Sequence, residues 1–220
     1  MQASGGARAV TPAANCPLCP RLAAFRAQNR VAFTDWFNQP VPCFGPRDSA
    51  LLIVGLAPGL RGANRTGRPF TGDFAGKLLY ETLLRFGFAT GTYSEDADDD
   101  FALHNCRIVN AVRCVPPQNR PLPAEIATCN PFLAAERAAM TRVRAIVALG
   151  GIAHQAVLRA YGLRQSFAKF GHGRTFMLPD GVTLTDSFHV SRYNTSTKRL
   201  TSAMFEAIIA TQAEQLTRNA

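Results

Sequence analysis

The chain has 220 residues, of which 47% are apolar and 18% are charged. This balance is typical of a folded globular protein and excludes a wholly disordered or collagen-like chain. Lys and Arg number 24 against 15 Asp and Glu, so the net charge is +9 and the pI is near 9.8.

The basic excess indicates a polyanionic partner, most often nucleic acid. The excess is larger still outside residues 95–100, which hold five of the fifteen acids. A solvated basic surface without a partner is the alternative. No run of about 18 uncharged apolar residues occurs, which argues against a membrane-spanning helix. The first fifteen residues lack the apolar core of a secretory signal, so we expect a cytoplasmic protein.

Residues 1–15 are predicted to be a flexible tail and residues 16–220 a single domain in which helices and strands alternate. In the first half of the chain we expect a helix at 20–39, a strand at 50–56, a loop at 57–72, a helix opened by Gly72 or Asp73 and closed by Gly87, and an acidic loop at 90–100. The middle is predicted to hold a strand at 107–113, a Pro-rich loop at 115–123, a helix at 123–140, a strand at 145–149 and a helix at 151–161. Short strands follow within 166–188, the last at 184–188, and a final helix runs from Ser196 or Thr197 to about Thr217.

This alternation predicts an α/β fold, a three-layer sandwich with a mostly parallel central sheet flanked by helices. Ligands of such folds bind beyond the carboxyl ends of the strands. Three polar loops follow predicted strands, beginning at Ala57, Cys114 and His189. We therefore expect their residues to converge on one site.

The cysteines are the most informative feature of the composition. Cys16 and Cys19 form a C-x2-C pair, and Cys114 and Cys129 form a second, wider pair. Without a secretory signal, a metal centre is a better interpretation than a disulfide framework. Four thiolates suit tetrahedral zinc or an iron–sulfur cluster, and the spacing does not choose between them. Six buried free thiols are the alternative.

Three stretches of the chain carry recognisable motifs. Residues 55–73 read GLAPGLRGANRTGRPFTGD, residues 110–117 read NAVRCVPP and are followed by Asn119 and Arg120, and residues 189–197 read HVSRYNTST. In this order they resemble the motifs of iron–sulfur uracil-DNA glycosylases, most closely the type b branch, family 5. The resemblance runs from about residue 16 to residue 201. It implies a monofunctional hydrolase that flips a deaminated base out of DNA and cuts its N-glycosidic bond.

The resemblance also implies a cofactor and a substrate range. The type a and type b branches carry four cysteine ligands at similar places, so Cys16, Cys19, Cys114 and Cys129 would hold a [4Fe–4S] cluster. Family 5 enzymes accept other deaminated bases beside uracil, which here would be hypoxanthine or xanthine. The expected partner is damaged DNA, single- or double-stranded, bound by a prokaryotic monomer.

Two residues are assigned to catalysis by this resemblance. Asp73, the Asp of F-T-G-D, would position or activate the attacking water or stabilise the sugar cation; from the residues alone it is a helix N-cap. His189 would donate to a base carbonyl as negative charge develops there. The type a motif reads GEAPG, whereas Leu56 occupies the place of its Glu here. Asp73 must then be the carboxylate, and the less polar wall favours a wider substrate range.

The same motifs imply residues that contact the substrate, namely Gly55, Ala57, Phe70, Asn110, Ser191 and Asn194. Phe70 would stack under the flipped base, unless it only packs in the core. Asn110 would read the base edge, unless it is a buried amide bonded to backbone. Ser191 and Asn194 are expected at phosphate oxygens.

The remaining predicted contacts are with the DNA backbone and the base stack: Arg61, Arg65, Arg68, Arg192, Tyr193, Lys198 and Arg199. Tyr193 occupies the place of a wedge that fills the gap left by the flipped base. Gly59, Gly62 and Gly67 would permit close approach of backbone to phosphate or base. Two alternatives stay open: a narrow, uracil-specific type a-like enzyme, and a non-catalytic iron–sulfur module that binds nucleic acid.

Overall fold

A computed structural model describes residues 11–218 of the chain. Most of the predicted tail therefore lies outside the described residues. Within its last part, Ala14 and Asn15 accept hydrogen bonds from the side chain of Arg30. In the described range, no helix has the length and apolar character needed to cross a membrane.

Seven helices and seven strands are assigned over residues 11–218. The helices are α1 (Pro20–Ala32), α2 (Ala63–Thr66), α3 (Phe74–Arg85), α4 (Pro123–Ala139), α5 (Gly151–Ala160), α6 (Arg192–Ser196) and α7 (Ser202–Arg218). The strands are β1 (Leu51–Gly55), β2 (Ala89–Thr90), β3 (Ala102–Leu103), β4 (Cys106–Asn110), β5 (Ala145–Leu149), β6 (Thr175–Met177) and β7 (Thr183–Ser187).

The predicted three-layer sandwich is confirmed. Five strands form the central sheet in the order β4-β1-β5-β7-β6, and all neighbours pair in parallel except the edge strand β6. Strand β1 is buried on both faces. Leu51 and Ile53 belong to a core cluster shared with α3 and α7, whereas Leu52 and Val54 belong to one shared with α4 and α5. This alternation places helices on both faces of the sheet.

The first helix is shorter than predicted, because α1 ends at Ala32 rather than near residue 39. The Asn38 side chain donates hydrogen bonds to the carbonyls of Asn29 and Phe33, at 3.2 and 2.7 Å. These bonds satisfy carbonyl groups that the end of a helix leaves without partners. Phe33 also stacks on Trp36, with ring centroids 3.9 Å apart, which folds the following turn back on the helix.

The predicted start of the last helix, at Ser196 or Thr197, is also wrong. Residues 192–196 form the separate helix α6, which Ser191 caps by accepting from the Asn194 backbone N–H. Lys198 then adopts a left-handed φ of 56°, which ends helical geometry. The main helix α7 begins at Ser202, after Thr201 accepts from the Met204 backbone N–H at 3.2 Å. Neither α2 nor the antiparallel pair β2–β3 was predicted from the sequence.

Candidate active site

A pocket of about 360 Å³ opens beyond the carboxyl ends of β1, β4 and β7. Its volume is in the range of sites that take small ligands. Residues of all three polar loops line it: Leu56, Ala57, Gly59, Ala63, Phe70, Asp73, Phe74, Ala75, Asn110, Asn119, His189, Ser191 and Arg192. The predicted convergence of the loops is therefore confirmed.

Asp73 combines a structural position with a place in the pocket wall. It is the N-cap of α3, and its side chain accepts from the Gly76 backbone N–H at 3.2 Å. Burial raises the pKa of this carboxyl above its ordinary value. A Cβ on Gly62 would lie 2.6 Å from Asp73 Oδ2, and one on Gly59 would lie 3.2 Å away. The missing side chains of Gly59 and Gly62 therefore leave room for the Asp73 carboxylate.

Asn110 is the last residue of β4 and is only 3% exposed. Its Oδ1 is buried without a hydrogen-bond partner among the described residues. Gly55 is its partner in the parallel β1–β4 register, and the missing side chain there leaves room for the carboxamide. The alternative of an Asn fully bonded to backbone does not hold for this oxygen.

Phe70 forms part of the pocket and of the core at once. It is buried, and its ring centroid lies 6.2 Å from that of His189. Its φ of 56° is left-handed, a strained conformation that the surroundings must hold in place. Tyr93 Oη donates to the Phe70 carbonyl at 3.2 Å, and Tyr80 Oη donates to the carbonyl of Pro69. Gly76 lets this backbone lie against α3, since a Cβ there would overlap the Phe70 carbonyl oxygen.

His189 follows β7 and faces the pocket. Burial lowers its pKa, so the imidazole is neutral at pH 7 and offers one N–H donor. Its own carbonyl accepts from Asn194 Nδ2 at 2.8 Å. Asn194 lines a neighbouring cavity that His189 also lines, and its bond to the His189 carbonyl braces this loop. Its contact with a phosphate oxygen stays a prediction. Ser191 does line the pocket.

Most of the predicted DNA contacts are exposed. Arg61, Lys198 and Arg199 are exposed, and the side chain of Tyr193 is 71% exposed on α6. The Arg192 guanidinium lies over the ring of Phe74 at 5.1 Å, at the mouth of the pocket.

Arg65 and Gly67 have neighbours within the protein. Arg65 is half-buried, and its Nε donates to the carbonyl of Arg61 at 3.0 Å. A Cβ on Gly67 would meet the ring of Phe37 at 2.9 Å, so the room there serves packing rather than a ligand.

The prediction that Arg68 contacts DNA is wrong. Arg68 is 6% exposed, and its guanidinium forms a two-pronged ion pair with Asp99, with Nη1 2.6 Å and Nη2 2.8 Å from the carboxylate oxygens. Four aromatic rings surround it at 5.1 to 5.8 Å, those of Phe44, Tyr80, Tyr93 and Phe101. The acidic segment at 95–100 therefore anchors the first motif.

Cys16, Cys19, Cys114 and Cys129 line one cavity together with Arg26 and Arg113. Arg26 Nη1 donates to Cys114 Sγ at 3.2 Å, and the Arg113 backbone N–H donates to Cys129 Sγ at 3.4 Å. Over residues 11–218, no three His, Cys, Asp or Glu side chains are arranged to hold a metal ion.

The two remaining cysteines lie apart from this cavity. Cys106 is fully buried on β4, and burial raises its pKa, which confirms the predicted buried thiol. Cys43 is half-buried beside the second core cluster, and burial raises its pKa as well.

Two functional positions were missed. Asn119 lines the pocket although no role was assigned to it. Tyr93 holds Phe70 from within the acidic loop, where no motif marks it.

Known proteins resemble this chain over most of its length. The profile of the uracil DNA glycosylase superfamily matches residues 42–211. A type-5 uracil-DNA glycosylase of Thermus thermophilus is 44% identical over 199 residues, covering 88% of this chain and 90% of the relative. One of Pyrobaculum aerophilum is 38% identical over 210 residues, covering 94% and 88%. A type-4 uracil-DNA glycosylase of Archaeoglobus fulgidus is 36% identical over 124 residues, covering 56% and 54%.

Proposed function

This chain belongs to the uracil DNA glycosylase superfamily and is a hydrolase of N-glycosyl bonds, and we propose that it removes both uracil and a deaminated purine, hypoxanthine or xanthine, from DNA. The product is an abasic site for base excision repair. We further propose that the enzyme acts as a monomer on single- or double-stranded DNA in the cytoplasm of a prokaryote.

The observation that carries this proposal is the unpartnered Oδ1 of Asn110 in the pocket. A carboxamide offers an acceptor and two donors side by side. Uracil, hypoxanthine and xanthine all present a ring N–H next to a carbonyl, which is the complement of that pair. In cytosine and adenine the corresponding ring nitrogen is an acceptor and the neighbouring exocyclic group is an amino donor. A carboxamide fixed to bind the uracil edge would therefore meet acceptor with acceptor and donor with donor, at a cost of about 1–3 kcal/mol.

The pocket also has groups suited to charge separation. As the N-glycosidic bond lengthens, the sugar becomes positive and the departing base becomes negative. The neutral imidazole of His189 can donate its N–H to a base carbonyl, while the Asp73 carboxylate can stabilise the sugar or position water. Phe70 provides an aromatic ring in the same wall for stacking.

A broad substrate range is favoured by the uncharged part of the pocket wall. Leu56, Ala57 and Ala63 line the pocket and carry no charge. The only carboxylate that lines it, within the part of the chain described, is Asp73. A larger purine would therefore meet apolar surface and no second acidic group.

We propose that the four-cysteine cavity holds a [4Fe–4S] cluster. In such a cluster each thiolate binds its own iron, so three ligands need not surround one ion. The donor set fits, because four sulfur atoms line one cavity and two of them accept hydrogen bonds. The bound group would tie the segment before α1 to the loop after β4 and to α4. A colourless protein that contains zinc would contradict this assignment.

The decisive experiment uses end-labelled oligonucleotide duplexes that carry one uracil, one hypoxanthine, one xanthine or one cytosine. Alkali reveals abasic sites, and a lane without alkali reports strand cleavage by the enzyme itself. We expect release of uracil and at least one purine, no release of cytosine, and no cleavage without alkali. Release of uracil alone would favour the narrow type a-like enzyme. No release, with DNA binding intact, would favour the binding module.

A further inference from the structure

Two arginines at the cysteine cavity are buried without carboxylate counter-ions. Arg26 is 4% exposed and Arg113 is 1% exposed. Within residues 11–218 neither forms an ion pair with Asp or Glu, whereas the buried Arg68 pairs with Asp99. A buried cation without a counter-ion is strongly unfavourable, so a negative charge is required close by.

Both guanidinium groups keep donors that no carbonyl or carboxylate satisfies. Arg26 donates from Nη1 to Cys114 Sγ and from Nη2 to the carbonyl of Cys16, but its Nε is buried without a partner. Arg113 donates weakly from Nη1 to the carbonyl of Val41 at 3.4 Å, and its Nη2 is buried without a partner. Both residues line the cavity of the four cysteines, and of the two it is Arg26 whose guanidinium donates to a cysteine sulfur there.

The charges of this cavity are compatible with a metal centre held by four thiolates. Four thiolates carry four negative charges, and the two guanidinium groups offset two of them. A centre with two positive charges offsets the remainder, and the oxidised [4Fe–4S] core has that charge. The thiolates of such a centre would thus supply the negative charge that no carboxylate supplies to these buried arginines.

We propose that Arg26 is a fixed counter-ion of the four-thiolate centre, and that it raises the reduction potential of the cluster through its bond to Cys114. This inference rests on the cluster proposed above. Reduction adds one negative charge to the centre, and a nearby cation that also donates to a ligand sulfur stabilises the reduced form. Removing that cation should make reduction harder.

The test compares full-length variants with the same change of charge at two places. Arg26→Met removes the cation and keeps a similar apolar stem, and Arg26→Lys keeps the charge. Arg159→Met is the control, because Arg159 is exposed on α5. Iron and sulfide content are measured first, and the reduction potential is then followed by electron paramagnetic resonance in a dye-mediated titration. We expect a more negative potential for Arg26→Met and little change for Arg26→Lys and Arg159→Met.

The outcomes separate the two proposals. Wild-type protein without iron would overturn the cluster and this inference together. Wild type with full iron content and an Arg26→Met potential equal to that of wild type would overturn this inference alone. If Arg26→Met loses its iron while Arg26→Lys retains it, the need for a cation is supported. Loss of iron from both variants would show that the centre requires the shape of Arg26 rather than its charge, and would overturn the proposal.

Discussion

Gly55 and Asn110 face each other across β1 and β4 so closely that a Cβ at position 55 would lie 2.4 Å from Asn110 Oδ1. The same atom would lie 2.5 Å from Cζ of Phe70. Because Gly55 has no side chain, the proposed base-reading amide of Asn110 and the proposed stacking ring of Phe70 can both occupy the space next to it.

Gly55→Ala should therefore displace Asn110 or Phe70. We expect kcat/KM for uracil release to fall about 100-fold, the usual effect of a displacement near 1 Å in an active site. Gly162→Ala is the control for stability, since position 162 has a left-handed φ of 68° but open space around it. The free energy of unfolding of that variant, measured with urea, should fall by about 1 kcal/mol, and its activity should be unchanged. Equal activity of the two variants would contradict this account of Gly55.

Asp73→Asn separates the capping role from the proposed catalytic one. Asn is as good an N-cap as Asp, so the helix should keep its cap. Because burial raises the Asp73 pKa, the ionised carboxylate is unfavourable in the folded protein at pH 7. We expect the Asn variant to be at least as stable as wild type at pH 7 but at least about 100-fold less active. Asp73→Ala should also lose about 1 kcal/mol from the missing cap.

The pH dependence of kcat/KM should show an acid limb and no alkaline limb from these groups. Activity requires ionised Asp73, so it should fall as the pH drops through a pKa above the ordinary carboxyl value of 3.8. Protonation of His189, at a pKa below its ordinary value of 6.5, also falls on the acid side of the profile. Tyr93 titrates only at about 12. The residual activity of Asp73→Asn should lack the Asp73 limb, and a profile unchanged by that substitution would exclude Asp73 as its source.

Breaking the Arg68–Asp99 pair should destabilise the protein strongly. Asp99→Ala leaves a buried guanidinium without its counter-ion, for which we expect a loss of about 3–5 kcal/mol in urea unfolding. The double variant Arg68→Met/Asp99→Ala should recover a large part of the lost free energy of unfolding, because the aromatic rings around position 68 suit an apolar side chain. The hydrogen bonds from Arg68 lower the Asp99 pKa from its ordinary value of 3.8 to about 2. The contribution of the Arg68–Asp99 pair to the free energy of unfolding should be complete above pH 3.8 and vanish as the pH falls toward 2.

The salt dependence of DNA binding should identify the cations that meet phosphate. Each of Arg61→Ala and Arg192→Ala should reduce the slope of log K against log salt concentration by about one. Arg68→Met should leave the slope unchanged at temperatures where it is folded, since Arg68 is buried. A lower slope for Arg68→Met would mean that its ion pair with Asp99 opens on DNA.

The sheet and the place of the site follow from local patterns in the sequence. The polar loops of the site follow β1, β4 and β7, and because parallel strands end at the same edge of the sheet, these loops converge. Asp73 was predicted as both cap and site residue, and its geometry fits both positions.

The errors concern interactions between distant parts of the chain. Arg68 reads as one more cation in a basic loop, and only the fold brings Asp99 and four aromatic rings around it. Tyr93 is similar, because its bond to Phe70 joins segments 23 residues apart. Helix ends were misjudged at Asn38 and Lys198, where a side-chain cap and a left-handed residue act against propensity.

The five residues from Asn110 to Cys114 form a short backbone segment that joins the pocket to the cysteine cavity. Ala111 and Val112 donate backbone hydrogen bonds to Gly55 and Leu56, which continue the sheet ladder past the last strand residue. A redesign that replaced the four cysteines by an apolar core would have to reproduce the position of this segment as well as the lost stability. A thermally robust variant without the proposed metal centre that misplaced this segment would also misplace the carboxamide proposed to select the base.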